Sequence, residues 1–115
     1  MLKFAYKNII RRLNLKREQL LMLKSKLEPG SICFGNFVQG PKICPTTTAL
    51  AIKLGREAFI SDAEVKKLFR KQGISLRHFY FLYIFFDLPS IFSKRFFFWS
   101  LWHMREAIDD LILLA

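Results

Sequence analysis

Apolar residues recur through residues 2–27 with a helical period. In a heptad frame Tyr6, Leu13, Leu20 and Leu27 fall at one seam position, and Leu2, Ile9, Lys16 and Leu23 at the other. The pattern predicts one long helix whose opposite face carries Lys3, Lys7, Arg11, Arg17 and Lys24. Its seam can pack on the chain's own core or pair with a second copy, so a homodimer through helix 2–27 is one expectation. Glu28-Pro29-Gly30 stops the helix, because proline cannot continue it and glycine permits the turn. Residues 29–46 then alternate weakly and hold glycines at 30, 35 and 40. They predict a Gly-rich loop or small β-hairpin anchored by Phe34, Phe37 and Val38.

A helix is expected from about Thr47 to Glu57, capped by one of Thr46, Thr47 or Thr48. The next start is better signed. Ser61-Asp62-Ala63-Glu64 has capping-box spacing and opens a helix over 62–72 that buries Val65, Leu68 and Phe69 and turns Lys66, Lys67, Arg70 and Lys71 outward. Leu76 to about Leu88 reads as a ring-rich helix, punctuated by Asp87-Leu88-Pro89-Ser90. The last helix runs from Ser90 or Ser93 to the terminus. Phe97, Leu101, Met104, Ile108, Leu111 and Ala115 recur there at alternating four- and three-residue steps, a buried stripe, with Glu106, Asp109 and Asp110 on a solvated face. The Phe96–Trp99 run surrounds its helix and is expected to be buried on every side, by its own domain or by a partner. The fold class that follows is mostly α: a compact single-domain bundle of about five helices, residues 1–115, with the loop or hairpin at 29–46.

Charge and rings divide this domain unevenly. Residues 1–77 hold 16 Lys+Arg against 5 Asp+Glu, whereas residues 78–115 hold 3 against 4 and carry 12 of the 18 aromatic side chains. A formal charge of +10 favours polyanionic partners. No stretch reaches the roughly 18 charge-free apolar residues of a spanning helix, so no transmembrane span is predicted. Met1 to Arg17 lacks a continuous apolar core of the secretory type, and Cys33 and Cys44 are expected to be reduced thiols in a cytoplasmic setting.

Little in the chain points to catalysis. There is no P-loop, dinucleotide fingerprint or paired-carboxylate motif. His78 and His103 lie in apolar segments, and the ten residues between Cys33 and Cys44 do not suit a compact zinc site. No catalytic residue, cofactor or metal is expected.

The helices at 47–57 and 62–72 have the layout of a helix-turn-helix, in which the second helix enters the major groove. Their link, Gly55 to Ser61, is longer than that motif prefers. The leading expectation is a small basic, non-enzymatic nucleic-acid-binding protein with DNA favoured, a regulator or a mobile-element accessory factor. Its contacts would be Lys66, Lys67, Arg70 and Lys71, supported by Arg11, Arg12, Arg17, Lys53 and Arg56. The alternative is an inhibitor or adaptor that docks on a protein partner through the aromatic C-terminal third, by Phe97, Trp99 and Trp102. A third reading places those rings at a membrane surface as a peripheral protein.

Overall fold

The first apolar stripe folds as two helices, not one. In the computed structural model, which describes residues 2–115, α1 spans Leu2–Leu13 and α2 spans Arg17–Lys26. Asn14 takes a left-handed conformation (φ 53°) and Lys16 is extended, so the chain turns between them. Asparagine enters that region more readily than most residues because its short amide can bond locally. The Gln19 side chain then accepts a 2.8 Å bond from the Lys16 N–H and opens α2. The predicted seam is filled from within the chain: Tyr6, Leu13, Leu20 and Leu27, together with Leu2, Ile9 and Leu23, are all buried in the core. That face therefore has no free stripe for a coiled-coil partner.

A two-stranded antiparallel hairpin follows, β1 (Val38–Gln39) and β2 (Lys42–Ile43), paired Val38 to Ile43 and Gln39 to Lys42. Gly40 at φ 61° makes its tight turn, a conformation most side chains resist. The helix α3 (Pro45–Leu54) is capped by Cys44 and not by a threonine, since the Cys44 sulfur accepts from the Thr47 N–H at 3.4 Å. Pro45 occupies the first helical position, where a missing N–H costs nothing. Thr46, Thr47 and Thr48 lie inside the helix and are buried, and the Thr48 hydroxyl donates to the Cys44 carbonyl at 3.0 Å. Gly55 in the left-handed region closes α3 with a Schellman pair, Gly55 N–H to Ile52 O and Arg56 N–H to Ala51 O.

Ser61 caps α4 (Asp62–Lys71) as its spacing predicts, its hydroxyl accepting from the Glu64 N–H at 3.3 Å. Glu64 completes no capping box. It reaches sideways to the Arg56 guanidinium (3.0 Å) and the Ile60 N–H (3.1 Å) instead.

The ring-rich segment is not a regular helix. A 3₁₀ turn (Leu76–Phe79) leads into α5 (Tyr80–Leu82), a π turn (Tyr83–Asp87) and α6 (Leu88–Phe92). Pro89 has no N–H for the carbonyl four residues back, and its ring crowds that carbonyl. The widened π turn accommodates both effects.

The long helix α7 (Lys94–Leu114) is capped by Ser93 and buries Leu101, Met104, Ile108 and Leu111, whereas Ala115 is exposed. Ser100 and Ala107 are also buried, and such small side chains allow close helix approach. α7 packs along α1 and α2, and α3 packs on the same two helices. The result is a mostly α-helical globule with one small hairpin, of Cα radius of gyration 12.8 Å. A single domain of this length is expected at about 13 Å.

Candidate nucleic-acid interface and ring-lined pocket

The acidic face of α7 is not simply solvated. Asp110 bonds Lys3 and Lys7 of α1, each at 3.0 Å, Glu106 lies 3.7 Å from Lys3, and Asp109 meets Lys24 of α2 at 2.7 Å. Hydrogen bonds from Lys7 and Lys3 hold the Asp110 carboxyl below its ordinary value, and the same bond raises Lys3. A good part of the basic N-terminal surface is thereby turned onto the chain itself.

Other cations are engaged as well. Arg17 donates to the Ile112 carbonyl near the C-terminus of α7 at 3.2 Å, which suits the negative end of a helix. Arg56 pairs with Glu64 at 3.0 Å and its guanidinium lies 4.8 Å above the Phe59 ring, so it is a strut of the 55–61 link and not a free phosphate contact. Lys53, in the last turn of α3, is half-buried. Arg11 and Arg12 stand exposed at the end of α1.

Lys66, Lys67, Arg70 and Lys71 differ from the paired cations. All four are exposed on α4, and among the described residues none has an acidic partner. Their helix is held by its inner face, where Val65 and Phe69 are buried and Phe69 meets the rings of Phe37 (5.7 Å) and Phe79 (4.9 Å). α3 packs mainly on α1 and α2, and its contact with α4 is slight at most, so the pair lacks the close packing of a helix-turn-helix unit.

The aromatic third divides. Phe97 is half-buried against Phe34, Phe86 and Phe98 and belongs to the core. Phe98, Trp99 and Trp102 are exposed, Trp102 by 67%, so the chain's own domain does not bury the 96–99 run all round. Trp102 donates to Glu106, and Trp99 stacks edge-on against His103 at 4.1 Å. Tyr80, Phe81, Tyr83 and Phe92 add further exposed rings. No helix of the described residues is long and apolar enough to cross a membrane.

Both cysteines are free and buried. Burial pushes the Cys33 thiol up to about 12 and raises Cys44 too, so neither supplies a thiolate at neutral pH. His78 takes the Ser75 N–H on Nδ1 at 3.0 Å, closing its own 3₁₀ turn.

A pocket of about 320 Å³ opens between α4, the N-terminus of α3 and the irregular ring-rich segment. Asn36, Phe37, Lys66, Phe79, Tyr83 and Asp87 line it, with Asp62 and Thr46 beside them. One oxygen of Asp62 is taken by the Val38 N–H at 2.9 Å. Asp87 has no basic residue within ion-pair distance, and burial raises its carboxyl to about 6 even though the Gly35 backbone stabilises the ionised form. Neither Asp87 nor Asn36 stood out in the sequence. Asp87 reads there as helix punctuation, and only the fold brings it into a pocket wall with Phe79 and Tyr83.

The raised Asp87 carboxyl has a definite sign for stability. Between its ordinary value of 3.8 and about 6 the folded chain holds a proton that the unfolded chain releases. Stability therefore falls as pH rises through that window, and the penalty is full above it. Asp87→Asn should raise the urea midpoint at pH 7.5 and leave it nearly unchanged at pH 4. A lower midpoint at pH 7.5 would show that the carboxylate is not held against its solvation.

No protein-family profile, curated protein or solved structure matches this chain. Fold and site together define a small basic helical bundle with one cationic helix and an adjoining ring-lined pocket.

Proposed function

We propose that this is a non-enzymatic nucleic-acid-binding protein that holds the phosphate backbone through α4. One observation carries the reading. Lys66, Lys67, Arg70 and Lys71 stand together on one exposed helix face with no carboxylate within ion-pair distance among the described residues, whereas Lys3, Lys7, Lys24 and Arg56 are paired within the chain. Leaving like charges adjacent and uncompensated opposes folding, and a polyanionic partner removes that opposition. Arg11 and Arg12 extend the positive field from the end of α1. Free, buried thiols suit a reducing, cytoplasmic compartment. The contact is with backbone phosphate and gives affinity without sequence preference of its own.

Binding to a labelled random-sequence duplex and to a single strand, followed across a salt series, tests the reading. Four phosphate contacts give a slope of log K against log[salt] near about −3.6 on duplex DNA and about −2.8 on single strands. A flat salt dependence, or no binding at low salt, would overturn it.

The exposed rings favour a second reading, a protein-docking surface on the C-terminal third around Trp99 and Trp102. Its consequences for variants differ from those of the first and are set out in the Discussion.

A further inference from the structure

We propose that the pocket beside α4 takes one unstacked guanine base, so that the protein reads a guanine in single-stranded nucleic acid while α4 holds the phosphates. This rests on the nucleic-acid reading of α4 and adds a base-specific site to it.

The first reason is position. Lys66 belongs both to the exposed cationic face of α4 and to the wall of the pocket. A strand whose phosphates follow α4 therefore passes the pocket mouth. Single-stranded bases are read by splaying them from the strand, stacking them on aromatic faces and bonding their Watson–Crick edges.

The second reason is the wall. Phe37 and Phe79 stand edge to face with centroids 5.2 Å apart, and Tyr83 is about half exposed. The volume of about 320 Å³ lies at the small end of ligand sites, which run from about 300 to 1,000 Å³. A planar base fits that class better than a larger ligand does.

The third reason is the polar group at the wall. The pocket holds two carboxylates, each met by a backbone N–H, Asp62 by Val38 at 2.9 Å and Asp87 by Gly35, and Asp87 is the one on the ring-bearing segment, with lone pairs left for a ligand. A carboxylate offers two adjacent acceptors. Guanine answers with two adjacent donors, its ring imino N–H and its exocyclic amino group. Adenine and cytosine place a ring acceptor beside a single amino group, and thymine sets its one imino donor between two carbonyls, so each would bring a lone pair against Asp87. The Asn36 amide remains available for the guanine carbonyl.

The carboxylate must be ionised to accept both bonds. The charged or titratable groups around it are Asp62 and Lys66 of α4, Cys44 before α3, Cys33 of the preceding loop, and Tyr83 of its own segment. The two thiols stay neutral at working pH, so a guanine preference that strengthens from pH 5 to pH 7.5 reports Asp87.

The experiment compares a short labelled oligothymidylate with the same strand carrying one central guanine or one central adenine, by fluorescence anisotropy. The guanine strand should bind roughly tenfold or more tightly than the other two. Asp87→Asn should abolish that preference and shift it toward adenine, whose amino group and ring nitrogen match an amide, with oligothymidylate binding unchanged. Tyr83→Ala, at a half-exposed position, should also reduce the guanine preference and gives a variant independent of the carboxylate. Equal affinity of the unaltered protein for all three strands would overturn the pocket proposal and leave the α4 reading standing. Failure of every strand to bind would overturn the α4 reading. Titration with guanosine monophosphate alone, followed by tyrosine fluorescence or amide chemical shifts, then decides the pocket, and no change on titration would overturn it as well.

Discussion

Truncating Phe69 to alanine lowers folding stability by about 3–5 kcal/mol, enough to unfold much of a small domain of ordinary stability. Phe69 is fully buried and touches the rings of Phe37 and Phe79, so one side chain joins α4 to the hairpin loop and to the 3₁₀ turn. Its loss empties the middle of this three-ring cluster and removes aromatic contacts worth about 0.5–1.5 kcal/mol each beyond their burial. Val65 is the other residue by which α4 is fully buried, and it is too small to hold the helix alone. Urea unfolding followed by circular dichroism measures the loss, and the thermal midpoint should fall by about 10 °C or more. Phe69→Leu should retain a good share of the stability. A loss below about 1 kcal/mol for the alanine variant would mean that α4 is anchored by something other than this cluster.

Replacing Lys66, Lys67, Arg70 and Lys71 together with glutamine weakens DNA binding roughly 10²–10⁴-fold at moderate salt, and removes about 3.6 units from the salt slope on duplex DNA. Glutamine is a good helix former and all four positions are exposed, so α4 should keep its place and the melt should change little. Trp99→Gln with Trp102→Gln is the counterpart. Both rings are exposed, and their replacement should leave DNA binding intact. If the aromatic third is the working surface, the result reverses: the glutamine variant of α4 keeps its partner and the tryptophan variant loses it. A lysine variant of α1 makes a third comparison. Lys3 and Lys7 already face Asp110, so replacing them alters ties within the bundle more than contacts with DNA.

The two α4 variants probe features that differ in how visible they are in the chain. The cationic face of α4 is legible because it is local. Ser61 caps at a fixed offset, apolar residues recur with the helical period, and the charges fall between them. The stripe of α7 is legible for the same reason as far as Leu111. The break at Asn14 is not, because the three-residue turn leaves the apolar seam in phase and a period count reads straight across it. The cap of α3 lies before the threonines because a buried cysteine sulfur accepts the bond that threonine more commonly takes.

The helical class, the hairpin region and the helix with an outward basic face are all readable along the chain. Each of these follows from spacing within a few turns of chain, where propensity, capping and periodicity act. Which charges are available, which rings are buried and where a pocket forms depend on how the elements pack. Lys3 meets Asp110, Arg17 meets Ile112, and Lys66 of the basic part shares a pocket with Tyr83 and Asp87 of the aromatic part. Charge neutralisation and desolvation depend on distance through space, so residues segregated along the chain acquire a joint function only when packing brings them together.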